Sequence, residues 1–118
     1  MNPLDISAIA DFHAHVYYDG STKPVAERLR ALAEARFAPE RGTTFGRWHD
    51  APVGPHPTGS FQIAFAPALF GEIVPWLALN RDGLTVFIHP NTGDDLPDHR
   101  DRAIWLGQQA TLDLDKLK

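Results

Sequence analysis

Asp11-Phe12-His13-Ala14-His15-Val16-Tyr17-Tyr18 is the stretch on which the fold of this chain turns. Phe12, Ala14 and Val16 fall on one side of it, His13, His15 and Tyr17 on the other. A period of two is the signature of a strand, because successive Cβ atoms point to opposite faces. The pattern predicts one face packed on a core and a second face carrying two histidines, roughly 6.5–7 Å apart along the strand. Two imidazoles at that spacing can lean onto one ion. A His-x-His pair on a strand can equally be structural or face solvent, so the spacing permits a metal site without requiring one.

Outward from this strand, Asp19-Gly20-Ser21-Thr22 has turn chemistry. Pro24 suits a first helical turn, and Val25, Leu29, Leu32, Ala33 and Phe37 recur at helical spacing. Thr44 to His49 reads as a second strand and is followed by a stiff loop, Pro52-Val53-Gly54-Pro55-His56-Pro57. Ser60 to Ala66 alternates as a third strand. A second helix is expected from about Pro67 to Asn80, with Phe70, Ile73, Val74 and Leu77 inward, Pro75 kinking or dividing it, and Gly83 ending it. Leu84 to His89 reads as a fourth strand stopped by Pro90, and a short helix is expected around Arg100 to Leu106. Thr111 to Lys118 has no readable pattern.

The order β-α-β-β-α-β is that of a ferredoxin-like α+β domain, a four-stranded antiparallel sheet with two helices on one face, over residues 1–118 as one domain. If the helices cover Phe12, Val16, Phe61, Phe65, Val86 and Ile88, the other face carries His13, His15, Tyr17, Gln62, Thr85, Phe87 and His89. Such a face is neither a solvated surface nor a plain core. It suits a cavity wall, closed by loops or by a second copy of the chain.

Composition narrows the chemistry. The chain has 118 residues, no cysteine and one methionine, so a transition-metal site must use His, Asp and Glu, which suits iron, manganese or zinc. The eleven Lys and Arg are scattered over a chain of net charge −4, which argues against nucleic acid as a partner. No apolar run approaches a membrane span and no secretory leader is evident, so a cytoplasmic protein is expected.

His89 closes the fourth strand with the parity of His13 and His15, and the first and fourth strands are neighbours in a ferredoxin-like sheet. Metal ligation is therefore expected from His13, His15 and His89, with Asp94 or Asp98 as an alternative to one imidazole. Arg47 and His49, two residues apart, share a face. Tyr17 lies beside the histidine pair. His56 is fixed between prolines, Asn91 lies in a loop rich in Asx-type turn residues, and His99 follows an acidic segment. Taken alone, each of His56 and His99 has a plainer reading as a surface residue, and Trp48, Trp76 and Trp105 as packing residues.

Five stretches add a resemblance: Phe12-His13-Ala14-His15-Val16-Tyr17-Tyr18, Gly46-Arg47-Trp48-His49, Pro52 to Pro57, Pro75-Trp76-Leu77, and His89-Pro90-Asn91-Thr92-Gly93-Asp94 with Asp98-His99. In this order they closely resemble the DOPA 4,5-dioxygenase family, over about Phe12 to Leu112. The resemblance implies a ferredoxin-like, commonly homodimeric protein that uses non-haem Fe(II), for which zinc or another divalent ion could substitute. The implied reaction is extradiol opening of a catechol such as DOPA with dioxygen. On that footing His49 or His99 would exchange protons with the substrate, Tyr17 would contact it, and Arg47, His56 and Asn91 would bind it. The alternative is a non-catalytic dimeric module holding a small aromatic ligand or a metal. An open coordination position distinguishes the two.

Overall fold

The computed structural model describes residues 2–118. In chain order its elements are β1 (Asp11–Tyr18), α1 (Lys23–Arg36), β2 (Thr43–Phe45), β3 (Gly59–Phe65), α2 (Phe70–Asn80), β4 (Val86–Asn91), α3 (Asp95–Arg100) and β5 (Ile104–Leu106). All sheet pairings are antiparallel, in the order β2-β3-β1-β4-β5. The architecture is α+β with three α-helices and five strands, one strand more than the sequence pattern predicts. No helix among the described residues is long and apolar enough to cross a membrane.

The alternation in β1 divides the molecule as expected. Phe12, Ala14, Val16 and Tyr18 join Phe61, Ile63, Phe65, Val86 and Ile88 in a buried cluster with Ala26, Leu29 and Ala33 of α1 and Ile73 and Leu77 of α2. Leu32 is an exception, 52% exposed. The inward stripe of α1 runs through Ala26, Leu29 and Ala33, and at about 100° per residue that stripe leaves Leu32 facing outward.

Proline departs from expectation twice. Pro75 lies inside α2 without dividing it. The carbonyl it deprives of a partner belongs to Gly71, which is exposed and has no side chain to crowd, so water can satisfy it. Pro90 does not stop β4, which continues to Asn91. Tyr17 donates its N–H to the Thr85 carbonyl, so the odd-numbered positions of β1 and β4 are the hydrogen-bonded pairs. Pro90, opposite Phe12, therefore directs its missing N–H away from β1, toward an edge that β5 no longer covers.

The helix expected around Arg100 to Leu106 is instead α3, ending at Arg100, followed by β5 at Ile104–Leu106 on the edge of β4. Pro97 is accommodated in the first turn of α3, where its missing N–H has no intrahelical partner to lose. Second-strand pairing is also broken. Gly46 donates to the Gln62 carbonyl, while His49 bridges Ser60, so three steps along one strand match two along the other. This is a β-bulge. Gly59, beside it, must be glycine because a Cβ there would lie 3.0 Å from the His49 and Tyr18 carbonyl oxygens.

Candidate metal centre and cleft

The histidine face is closed within the chain. α3 packs on β4, and Phe87, fully buried, stacks against Trp105 of β5 with ring centroids 4.7 Å apart. The Pro-rich loop folds over the same face, held where the Asp113 N–H donates to the Pro55 carbonyl at 2.9 Å. His15, His56, His89 and His99 are all buried as a result.

Register brings the first three expected ligands together. His13 lies directly opposite His89 across the β1–β4 ladder, and His15 is two residues along on the same side. One ring nitrogen from each of His13, His15 and His89 lies within 4.8 Å of the others. His15 Nε2 is 3.0 Å from His89 Nε2. His89 Nδ1 donates to the Pro90 carbonyl at 3.0 Å, because a carbonyl can only accept. In the neutral ring that leaves Nε2 with a lone pair aimed at His15, which requires a proton or a cation between them. Two nitrogens roughly 2.1 Å from one ion and at right angles to each other lie about 3.0 Å apart, so the donor set fits a divalent metal.

Burial keeps these rings neutral, the state in which imidazole ligates. Desolvation depresses His13 and drives His15 well below its ordinary value, with repulsion from His56 adding to the effect on His15. It also lowers His56 and His89 to about 4. Five of the six histidines pack as a cluster: the His15–His56 ring centroids are 4.2 Å apart, His89–His99 3.9 Å and His13–His89 5.2 Å.

Neither alternative carboxylate joins the triad. Asp98 is fully buried but accepts from the Thr92 N–H at 2.7 Å, the Thr92 hydroxyl at 2.9 Å and Arg102 Nη1 at 2.8 Å. Asp94 is exposed.

Beside His15 opens a cleft of about 160 Å³, lined chiefly by His15, Arg47, His49, His56, Ser60 and Gln62. The bulge explains its composition. Gln62 and Ser60 lie on the histidine face of β3, opposite His15 and Tyr17, and the extra residue lets both Arg47 and His49 reach the same opening while Trp48 packs on Phe61 at 4.9 Å. Arg30 Nη1 holds this segment by donating to the Gly46 carbonyl.

The remaining expected site residues are distributed around this opening. Tyr17 Oη and His56 Nδ1 share a buried 2.7 Å hydrogen bond, and desolvation raises the Tyr17 phenol well above its ordinary value, so it stays protonated. His99 is absent from the cleft lining: it packs behind His89, its Nδ1 donating to the Asp95 carbonyl at 2.7 Å. Asn91 is also outside the cleft. Its side chain donates to Asp11 Oδ1 at 2.8 Å, and Asp11 Oδ2 stands 3.7 Å from His13 Nε2. Asn91 thus arranges a carboxylate near the triad, a role that required the β1–β4 register to recognise. Ser60 went unread as a cleft residue for the same reason, its place depending on pairing with Tyr17 and His49.

The chain resembles known proteins along nearly its whole length. A crystal structure at 1.46 Å of a "putative dioxygenase" from Nostoc punctiforme matches with a TM-score of 0.92 and 46% identity, covering 98% of this chain and 96% of that one. An uncharacterized 21.2 kDa protein of Botryotinia fuckeliana is 38% identical over 126 residues, which span 98% of this chain and 68% of its own length. A DOPA 4,5-dioxygenase of Amanita muscaria is 29% identical over 116 residues, 94% of this chain; the match spans about half of that enzyme, 51%. These relatives indicate an oxygenase of the DOPA dioxygenase type. The model of the Dopa 4,5-dioxygenase family matches residues 12–116, and the chain belongs to that family.

Proposed function

We propose that this chain opens the ring of a catechol by extradiol cleavage with dioxygen, using Fe(II) held by His13, His15 and His89. The observation that carries the reading is the convergence of three neutral imidazoles, one of them with its tautomer fixed by the Pro90 carbonyl. When bound, ferrous iron would supply a Lewis-acid seat for the two catechol oxygens and electrons for dioxygen. Three protein nitrogens leave coordination positions open, which a saturated binding site lacks.

The chain's own side chains would do the rest. His49, in the cleft with Arg47, accepts a catechol hydroxyl proton and returns it to the departing product. Tyr17 and His56, coupled through their hydrogen bond, hold the ring in orientation. Arg47 anchors a substrate carboxylate. His99 supports the His89 ring from behind, and Phe87 with Trp105 keeps water from that side. The same reading takes the β-α-β-β-α-β order and the β2-β3-β1-β4 strand order as ferredoxin-like, with β5 appended. It also takes the molecule as a homodimer, which a light-scattering mass of 13.1 kDa would remove.

Anaerobic loading with Fe(II), then catechol and air, is expected to yield a yellow ring-opened semialdehyde. His13→Ala and His15→Ala should lose stoichiometric iron, while His49→Ala keeps iron and loses rate. Intact catechol after aeration of a fully iron-loaded protein would overturn the reading.

A further inference from the structure

We propose that the cleft selects an aromatic diol whose side chain ends in a carboxylate and carries no ammonium group. The proposal rests on the catechol reading above and narrows its substrate class. It follows from what the cleft contains and from what it leaves out.

Among the described residues only Arg47 and Arg36, of eight arginines, leave their guanidinium groups uncommitted, and of these two only Arg47 lines the cleft; Arg81 donates to the Leu84 carbonyl. Arg28, Arg30, Arg41, Arg100 and Arg102 each pair with a carboxylate, on Asp82, Glu34, Glu72, Asp101 and Asp98. Among the described residues Arg47 has neither an ion pair nor a hydrogen bond to the protein, although Asp and Glu outnumber Lys and Arg by 15 to 11. It stands at the lip of the cleft with its five donors uncommitted, and a carboxylate matches that fork bidentately.

No Asp or Glu lines the cleft. The carboxylate nearest in sequence, Asp50, is committed elsewhere, accepting from Tyr18 Oη at 2.8 Å and Lys23 Nζ at 2.9 Å. The other polar lining, Ser60 and Gln62, is uncharged. A substrate ammonium would find no counter-ion there and would meet the like charge of Arg47.

The test uses four probes of similar size on the iron-loaded protein: dihydrocaffeate (carboxylate only), DOPA (carboxylate and ammonium), dopamine (ammonium only) and 4-methylcatechol (neither). Dissociation constants are measured anaerobically by calorimetry, and initial rates in air. Dihydrocaffeate should bind about ten- to a hundredfold more tightly than 4-methylcatechol, with DOPA between them and dopamine weakest. Arg47→Gln should remove most of the carboxylate's advantage, Arg47→Lys should restore part of it, and Arg47→Glu should favour dopamine.

Equal affinities for dihydrocaffeate and 4-methylcatechol would overturn the proposal, as would tighter binding of DOPA than of dihydrocaffeate. Ordered binding as expected but no turnover of any probe would overturn the ring-opening reading and leave the anion preference standing. Turnover of all four at equal kcat/KM, with equal affinities, would do the reverse.

Discussion

Replacing Asp98 with Asn tests how α3 is held under the histidine cluster. Asp98 is fully buried and its carboxylate accepts from the Thr92 N–H, the Thr92 hydroxyl and Arg102 Nη1. Asparagine keeps the shape but brings two donors in place of an acceptor oxygen, so its amide must face either the Thr92 N–H or the Arg102 guanidinium, donor against donor. The Thr92 hydroxyl can rotate and Arg102 is partly solvated, which moderates the loss. One buried charge-assisted bond lost and one donor stranded amount to about 3 kcal/mol. For a chain of this length that lowers Tm by about 10–20 °C.

The effect has a pH signature. Burial alone would raise the Asp98 pKa, but the Thr92 N–H, Arg102 and the Thr92 hydroxyl outweigh it and hold the carboxyl below its ordinary 3.8. A depressed carboxylate stabilises the fold above its unfolded pKa, and this stabilisation is lost as pH falls through the folded value. The gap between wild type and Asp98→Asn, measured by urea denaturation from pH 7 downward, should therefore be full at neutral pH and close in the acid range below the ordinary carboxylate value. A gap under about 1 kcal/mol at pH 7, or one unchanged on titrating to the acid end, would refute this account of α3.

Phe87→Ala should destabilise the protein by about 3–5 kcal/mol, read by denaturant titration, because it empties the space between Trp105 and four histidine rings. Tyr17→Phe removes the bond to His56 and should lower stability by about 1 kcal/mol, with a larger fall in turnover than in iron content, measured on the same sample. The metal-free protein should weaken as pH falls below about 6.5, because His15, His56 and His89 are neutral when folded and take up protons when unfolded. Thermal melts should show that loss between about pH 6.5 and 4, and bound divalent metal should oppose it until its ligands protonate.

Much of this arrangement was legible locally. The alternation of Phe12 to Tyr17 was enough to put His13 and His15 on one face, and the parity of His89 added the third imidazole. The unread parts depend on contacts remote in sequence. Ile104-Trp105-Leu106 is too short to announce a strand; it becomes one only because β4 offers an edge. Pro90 reads as a stop until the partner strand shows which way its absent N–H points. No local pattern reports that Gly46 and His49 are out of step with Gln62 and Ser60, or that the Asp113 N–H ties down the loop at the Pro55 carbonyl, next to His56.

The mismatch at Gly46 to His49 means that the chemistry of the opening depends on chain length as well as residue type. An even ladder running on from Gly46 opposite Gln62 would set Arg47 opposite Phe61 and Trp48 opposite Ser60, turning the guanidinium toward the apolar side and an indole toward the substrate. Libraries that vary the number of residues at this point would thus explore selectivity in larger strides than libraries that vary their identity.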